Sequence, residues 1–279
     1  MTPAETDTQC LDAPALRRIA MFSDVHANLL ALEAVLADIQ REAIGEIYCL
    51  GDLVGYGPDP GGVVERVRGL GIPTIRGNYD DGIGNRRGGC GCYYSTEQAE
   101  SEGAISYAFT EAALEDAQVD WLASLPDQIR FEHRGVRLLL AHGSPRKINE
   151  YLLPDRGDRQ LARLADEAKA DVVCVGHVHV PYHRTLEGTD GRTIHYVSSG
   201  SVGKPKDGDP RAGWVELALG SEEEVGRHAS GDESRSVAGL TETWAGTVVH
   251  RVAYDVEATA DSVIRAGLPA AFAEALRRG

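Results

Sequence analysis

The chain has 279 residues, of which 42% are hydrophobic, and its formal net charge at pH 7 is −15. This hydrophobic content can fill a sizeable core, and layered α/β folds of this length occur as single domains. The negative charge opposes non-specific attraction to nucleic acid backbones and to anionic membrane surfaces, so we expect neither as a partner.

No stretch of the chain approaches the ~20 uninterrupted apolar residues that a membrane span requires, and the first residues lack the layout of a secretory signal. We therefore predict a cytoplasmic protein. We predict one domain over residues 1–279, with residues 1–17 as an N-terminal extension. The pattern does not specify the oligomeric state.

The first half of the chain alternates strand-like apolar runs with helical patterns, which is typical of an α/β fold. Asn28 is positioned to cap a helix whose apolar residues recur every three or four positions from Leu29 to Ile39. A second helical pattern, from Leu161 to Ala168, precedes a strand. The predicted strands of this half cover residues 47–50, 72–75, 136–140 and 172–175.

After residue 180 the pattern changes to strands. They are predicted at residues 182–186, 193–197, 214–219 and 247–252. Residues 221–241 contain few apolar side chains and many Ser, Gly and Glu residues, so we predict a mobile loop there. Residues 255–279 predict a helical C-terminal tail that is broken near Gly267 and Pro269.

Five short polar motifs each stand where a strand is expected to end. In chain order they are Asp24-Val25-His26, Gly51-Asp52, Gly77-Asn78, His142-Gly143 and His177-Val178-His179. Because residues i and i+2 of an extended strand point to the same face, we expect each Asp-x-His or His-x-His pair to aim two ligand atoms at one point. Taken singly, each residue also fits a structural role as a cap, a core histidine or a turn residue. Their shared placement favours a metal site.

The candidate ligands are too numerous for one tetrahedral ion, so they predict two divalent metal ions with Asp52 between them. The full set is Asp24, His26, Asp52, Asn78, His142, His177 and His179. Mn, Fe, Zn, Ni or Co would suit these oxygen and nitrogen ligands, and we favour Mn. Two ions a few ångströms apart suit phosphoryl chemistry, in which they hold the attacking hydroxide and the leaving oxygen.

The order of these motifs resembles the calcineurin-like metallophosphoesterase superfamily, over roughly residues 18–203. The resemblance implies an α/β fold of four layers, an αββα sandwich in which two mixed sheets are flanked by helices. It also implies two ions bridged by Asp52. The first would be bound by Asp24, His26 and His179, and the second by Asn78, His142 and His177. Within the superfamily, the chain resembles small bacterial phosphoesterases that are related to the cyclic-nucleotide phosphodiesterases and the diadenosine tetraphosphatases.

One position departs from the pattern of that superfamily. Its usual Gly-Asn-His-Asp or Gly-Asn-His-Glu is Gly77-Asn78-Tyr79-Asp80 here, so a tyrosine replaces the histidine that is generally assigned as proton donor. A phenol, with a pKa near ~10, releases its proton less readily than an imidazolium near ~6.5. Three roles stay open for Tyr79. In the first it is a weak acid or hydrogen-bond donor, and in the second it has no acid role, because another group supplies the proton or the leaving group needs little help. In the third it only packs beside the metals.

Two further features are expected near the metals. Arg146 and Lys147 closely follow His142 and are predicted to bind substrate phosphate, whereas Lys204 and Lys206 fit a cradle and ordinary loop charges equally well. The glycine-rich residues 81–93 predict a flexible flap over the pocket. Its Cys90-Gly91-Cys92 motif is a weak zinc signal without a companion cysteine pair, and it could form a redox pair, but a cytosolic location favours free thiols without a catalytic part.

These expectations combine into a predicted enzyme. We predict a dinuclear metal-dependent phosphoesterase that hydrolyses phosphodiester or phosphomonoester bonds of a small, nucleotide-like substrate through a metal-bound hydroxide. Its candidate catalytic residues are Asp52, Asn78, Tyr79 and His142. One alternative is a protein phosphatase, which would need an open and shallow cleft. The other is a weakly catalytic, metal-bound ligand sensor. This alternative is considered because Tyr79 replaces the usual histidine.

Overall fold

A computed structural model describes residues 16–229, 235–240 and 243–279. Within them the chain forms ten strands and nine helices. The strands are β1 Arg17–Phe22, β2 Ile47–Cys49, β3 Gln128–His133, β4 Val136–Ala141, β5 Val172–Val175, β6 Pro181–Glu187, β7 Thr193–Ser199, β8 Ala212–Gly220, β9 Arg235–Leu240 and β10 Thr243–Val252. The helices are α1 Leu29–Arg41, α2 Pro60–Gly69, α3 Asn78–Gly84, α4 Glu97–Ala113, α5 Asp116–Ser124, α6 Asp158–Ala168, α7 Glu222–Ala229, α8 Val256–Arg265 and α9 Ala270–Arg278.

The strands form two mixed sheets of five strands each. The first has the order β2-β1-β8-β10-β9, in which β1 is parallel to β2 and antiparallel to β8. The second has the order β3-β4-β5-β7-β6, in which β5 is parallel to both of its neighbours. Helices flank both sheets, which confirms the predicted four-layer α/β architecture.

Strand β1 shows how the sequence builds these layers. Its side chains alternate between the two faces of the sheet, as the period of two in a strand requires. Ile19 and Met21 pack between the two sheets, whereas Ala20 and Phe22 pack beneath the helices of the first sheet. The core between the sheets is completed by apolar side chains of β4, β5, β7 and β8. This stacking brings the ends of β1, β2, β4 and β5 to one side of the sandwich.

Helix α1 confirms the predicted cap and apolar face. The Asn28 side chain accepts a hydrogen bond from the Ala31 N–H at 3.1 Å, and the predicted face is buried on the first sheet. Helix α6 likewise covers the second sheet with Leu161, Leu164 and Ala165. The predicted helical tail is also present, because α8 and α9 meet at the break near Gly267 and Pro269 and form a small apolar core of their own.

Two predicted segments differ in the structure. Residues 72–75 form only an isolated bridge, between Cys49 and Thr74, because Pro73 lacks the N–H that a longer ladder needs. The predicted loop over residues 221–241 contains α7 and β9, whereas residues 230–234, 241 and 242 lie outside the described residues. Backbone pairing with β10 makes β9 an edge strand, and such pairing does not depend on a run of apolar side chains.

Candidate metal centre

Six of the seven predicted ligands fall into two compact groups at the shared edge of the sheets. Asp24, His26 and His179 form one group, and Asp52, His142 and His177 form the other. Within each group the candidate ligand atoms all lie within 4.8 Å of one another, and every residue is buried. The seventh ligand, Asn78, joins the second group, because its Oδ1 lies 3.1 Å from Nε2 of His142.

The structure corrects the geometric reason we gave for this convergence. None of the ligand pairs lies in an extended strand, because β1 ends at Phe22 and β5 ends at Val175. Five of the seven ligands have a positive φ, in the left-handed region that non-glycine residues rarely adopt. They are Asp24 (52°), His26 (47°), Asp52 (54°), His177 (67°) and His179 (60°). The His177-Val178-His179 motif consequently divides its two imidazoles between the groups.

Backbone carbonyl groups orient three of the imidazoles. Nδ1–H of His26 donates to the Val54 carbonyl at 3.0 Å, and Nδ1–H of His142 donates to the Leu50 carbonyl at 2.7 Å. Nδ1–H of His179 donates to the carbonyl of Lys204 at 2.5 Å. Each of these bonds fixes the tautomer and leaves Nε2 directed at the centre, as is usual for histidines that bind metals.

Hydrogen bonds also orient the carboxylate of Asp24. Oδ2 of Asp24 accepts hydrogen bonds from the Ser23 hydroxyl at 2.5 Å and from the His177 N–H at 3.0 Å. Oδ1 of Asp24 and Nε2 of His177 are buried and have no hydrogen-bond partner among the described residues. Because such orphaned acceptors are costly in a protein interior, they fit a site that is completed by cations.

Asp52 lies between the two groups. Its Oδ2 is 3.7 Å from Nε2 of His26 and 3.4 Å from Nε2 of His142, and its Oδ1 accepts a hydrogen bond from the Tyr79 N–H at 2.8 Å. This position, with one oxygen held by the backbone and the other facing both groups, is the one that a bridging ligand would occupy.

Burial and charge set the protonation of the ligands. Burial lowers the pKa of His26 to about 3, and burial with the nearby charge of His142 lowers the pKa of His177 to about 3. Burial also opposes the charged form of His142, but the charge and hydrogen bond of Asp52 outweigh it and raise that pKa to about 10. Two imidazoles are therefore neutral and ready to bind a cation, whereas a cation bound at His142 must displace a proton.

The carboxylates are ionised under the same influences. Burial opposes ionisation of both groups, but the histidines outweigh it: mainly His179 lowers the pKa of Asp24, and mainly His142 lowers the pKa of Asp52. The centre therefore presents two carboxylates, Asp24 in the first group and Asp52 between the groups, among buried imidazoles. This combination suits divalent cations better than any ligand that lacks a positive charge.

Asp80 is a residue of the centre that the sequence analysis missed. Its Oδ2 accepts hydrogen bonds from the N–H groups of Asp52 and Gly77, and its Oδ1 accepts one from Leu53, each at 2.9 Å. The carboxylate therefore joins the turn that carries Asp52 to the turn that carries Asn78. Its place in the motif Gly77-Asn78-Tyr79-Asp80 was the only sequence signal for this role.

We expect Asp80→Asn to destabilise the fold, because an asparagine side chain supplies one acceptor oxygen where the structure uses two. Leaving a buried N–H group without its acceptor should lower the free energy of unfolding by about 1–3 kcal/mol. Urea denaturation of the metal-free proteins measures this effect. Asp155→Asn, at an exposed position, is the matched control. Equal urea midpoints for all three proteins would contradict this structural role of Asp80.

Tyr79 packs beside the centre and directs its hydroxyl away from it. The side chain is fully buried, its hydroxyl hydrogen-bonds to the Ser106 hydroxyl at 3.0 Å, and burial raises its pKa. Gly55 leaves room for the ring, since a Cβ at that position would lie 2.4 Å from a Tyr79 ring carbon. Of the three roles left open for Tyr79, these contacts favour packing.

Tyr79→Phe should therefore slow alkyl and nitrophenyl phosphate esters to the same small extent, by roughly twofold to fivefold. A proton donor would behave differently, because only the alkyl leaving group requires protonation. Steady-state kinetics on both esters with the same metal-loaded preparation separate the two roles. Selective loss on the alkyl ester would restore the acid role.

Cys90 and Cys92 differ from the prediction of free thiols, because they form a disulfide. They also hold the amide of Asn78, whose Nδ2 donates to the Cys90 carbonyl at 3.1 Å and contacts Cys92 Sγ at 3.2 Å. Fixing the nitrogen end of the amide leaves Oδ1 facing His142. The predicted flap over residues 81–93 begins as helix α3 and then folds back, and Gly82 packs closely on Gly89.

The predicted substrate residues Arg146 and Lys147 lie at the His142 end of the centre. With His142 they line a cavity of about 360 Å³. The guanidinium of Arg146 already forms two hydrogen bonds with Glu150, at 2.9 and 2.7 Å. The side chain of Lys147 has no ion-pair partner among the described residues and is exposed. The cavity is also lined by Arg76 and Arg87, which pair with Asp81, so Lys147 is the one cation of its lining without an ion-pair partner among the described residues.

Fold and site together define the class of this protein as an αββα sandwich whose sheet edges carry two adjacent candidate metal sites. The profile of the calcineurin-like phosphoesterase superfamily domain matches residues 18–219. The chain belongs to this superfamily. Divalent metal ions are a property of metallophosphoesterases, and the two buried ligand groups fit them.

The chain is also similar to individual proteins. An uncharacterised protein of Methanocaldococcus jannaschii is 34% identical over 208 residues, which cover 70% of this chain and 80% of the relative. A crystal structure of a metallophosphoesterase from Sphaerobacter thermophilus is 29% identical with a TM-score of 0.65, covering 94% of this chain and 98% of that one. A hypothetical protein from Pyrococcus horikoshii shares the fold, at 20% identity and a TM-score of 0.70, with 94% and 98% coverage.

No helix within the described residues is long and apolar enough to cross a membrane.

Proposed function

We propose that this protein is a dinuclear metal-dependent phosphoesterase that acts on a small phosphorylated molecule, such as a nucleotide, in the cytoplasm. The observation that carries the proposal is the position of Asp52, whose Oδ2 faces Nε2 of both His26 and His142 across two separate ligand groups. When bound, two divalent ions would lower the pKa of a coordinated water and neutralise charge on the phosphate oxygens.

The chain's own residues would hold the reacting groups in place. Asp24, His26 and His179 would bind one ion, and His142, His177 and Asn78 the other, with Asp52 shared. The Asp24 and Asp52 carboxylates each keep one oxygen bonded to the backbone or Ser23, so their free oxygens cannot rotate away. Such preorganisation avoids reorganisation cost during the reaction. We keep Mn as the favoured metal and diester or monoester bonds as the target.

The test is hydrolysis of p-nitrophenyl phosphate and bis-p-nitrophenyl phosphate by metal-free protein to which Mn, Zn, Ni or Co is returned. We expect metal-dependent release of nitrophenol that saturates at two ions per chain, one for each ligand group. A weakly catalytic sensor would instead bind phosphate compounds, detected by thermal shift, without turnover. Activity on a phosphorylated protein but on neither small ester would favour the protein phosphatase alternative.

Lys147 and Arg146 should contribute unequally to substrate binding. Because Glu150 pairs with Arg146, we expect Arg146→Ala to change kcat/KM by less than about threefold, whereas Lys147→Ala should lower it roughly tenfold, mainly through KM. Kinetics on a nucleotide substrate and on a nitrophenyl ester measure both variants, with metal content as a control. No effect of either substitution on any substrate would make both residues ordinary solvated loop charges.

A further inference from the structure

The loop between β7 and β8 carries two lysines beside the first ligand group. Lys204 accepts the Nδ1–H of His179 through its carbonyl at 2.5 Å, and the N–H of Lys206 donates to the carbonyl of His179 at 3.2 Å. These two bonds tie the backbone on either side of Pro205 to one predicted ligand. The lysines therefore lie at the end of the centre opposite to the cavity of Arg146 and Lys147.

The position of this loop is fixed by the turn that holds Asp24. The N–H of Gly203 donates to the Asp24 carbonyl at 3.0 Å, and the N–H of Lys204 donates to the Ser201 hydroxyl at 2.9 Å. Gly203 approaches so closely that a Cβ there would lie 1.8 Å from the Val25 carbonyl oxygen. Because the loop is already ordered, a ligand that binds its lysines does not have to order the backbone as well.

The two ammonium groups have no carboxylate partner among the described residues. Nζ of Lys204 lies 4.5 Å from the centroid of the Tyr56 ring, and that ring meets the ring of His26 edge-on at 5.0 Å. Cation–π contact accommodates the charge without neutralising it. The arginines of the opposite cavity differ: Arg146 pairs with Glu150, and Arg87 pairs with Asp81. The lysines therefore have no ion-pair partner that an incoming anion would have to displace.

Charge at the centre indicates which anion fits. Two bound divalent ions would carry more positive charge than the carboxylates of Asp24 and Asp52 neutralise. One phosphate group bound at the ions would neutralise the remaining positive charge. The lysine loop contacts His179 through its backbone, which places both lysines beside the first ligand group and away from the second. A second phosphate group on the same molecule would reach them and would bind through charge-assisted hydrogen bonds.

We propose that Lys204 and Lys206 form a subsite for a second phosphate group, so that the protein prefers compounds with two linked phosphates over esters of a single phosphate. This inference rests on the proposed function only for the location of the first phosphate. The subsite binds and orients, and no bond is made or broken there. Tyr56 supports the subsite by holding the Lys204 ammonium over its ring.

The experiment measures binding of compounds that cannot be hydrolysed. Metal-loaded protein is titrated in a calorimeter with methylenediphosphonate, which has two phosphonate groups, and with methylphosphonate, which has one. The variants are Lys204→Gln, Lys206→Gln and the double variant, and Lys169→Gln at the end of α6 is the matched control. Lys206 is exposed, so its substitution should leave folding intact even if Lys204→Gln does not.

We expect the double variant to bind methylenediphosphonate roughly 10- to 100-fold more weakly, while methylphosphonate affinity changes less than about threefold. Unchanged affinity for methylenediphosphonate, or equal weakening of both compounds, would overturn the subsite. Hydrolysis of p-nitrophenyl phosphate by the unaltered protein is measured in parallel. Diphosphonate selectivity without turnover supports the subsite and defeats the proposed function, whereas turnover without that selectivity defeats the subsite alone.

Discussion

Asp52→Asn should abolish turnover and lower metal content, and it is the single substitution from which we expect the largest loss of activity. The amide keeps one oxygen but loses the charge that faces both ligand groups. Loss of about 4 kcal/mol of charge stabilisation corresponds to a decrease in kcat/KM of roughly a thousandfold. Metal analysis by mass spectrometry should show fewer than two ions per chain, since both groups share this residue.

The matched control for this substitution is Asp190→Asn, which removes a carboxylate that pairs with Arg192 on the surface. It should leave metal content and turnover within about twofold of the unaltered protein. Full metal occupancy together with normal rates in Asp52→Asn would refute the dinuclear assignment. Lower metal content with a normal rate per bound ion would show that one ion is sufficient.

Removal of metal should lower the melting temperature markedly. Without cations, the ionised carboxylates and the unpartnered atoms Asp24 Oδ1 and His177 Nε2 remain buried. Metal present at roughly 1,000 times its dissociation constant stabilises a folded protein by about 4 kcal/mol. For a chain of this size each kcal/mol corresponds to roughly 2–4 °C, so we expect a decrease of about 8–16 °C.

Differential scanning calorimetry before and after chelation measures the decrease, and returning the metal should restore the original melting temperature. Asp24→Asn supplies the comparison, because it removes one ligand charge and should make the protein less sensitive to chelation. A melting temperature that does not respond to chelation, in protein shown to contain metal beforehand, would contradict this coupling between metal binding and stability.

The sequence was sufficient for the fold class and for the convergence of the candidate ligands, because short motifs at the ends of apolar runs are local signals. Asp24 and His177 lie 153 residues apart and still meet through a hydrogen bond, since their strands end at the same edge of the sandwich. The reason we gave was nevertheless wrong. The i and i+2 rule of a strand does not apply to residues in left-handed turns, and no pattern of residue types revealed those turns.

Other features could not be predicted because they depend on distant partners. The hydroxyl of Tyr79 turns to Ser106 on α4, a helix that the sequence analysis did not identify. Arg146 pairs with Glu150. The sequence offers several possible partners for this arginine, and only the folded structure determines which one it contacts. Asp80 appeared as one member of a motif, whereas its three acceptor contacts depend on two turns meeting. Side-chain direction, rather than residue type, was the missing information in each case.

The left-handed backbone at five predicted ligands has a consequence for engineering this protein. A non-glycine residue in that region costs roughly 1–2 kcal/mol, and glycine avoids most of the cost. Substitution of His26 or His179 by glycine should therefore offset part of the lost packing, and a screen for thermal tolerance in the absence of metal would score such variants too favourably. Consensus or stability-guided redesign of this scaffold should hold these positions fixed, because the most easily improved backbone lies where chemical activity would be lost.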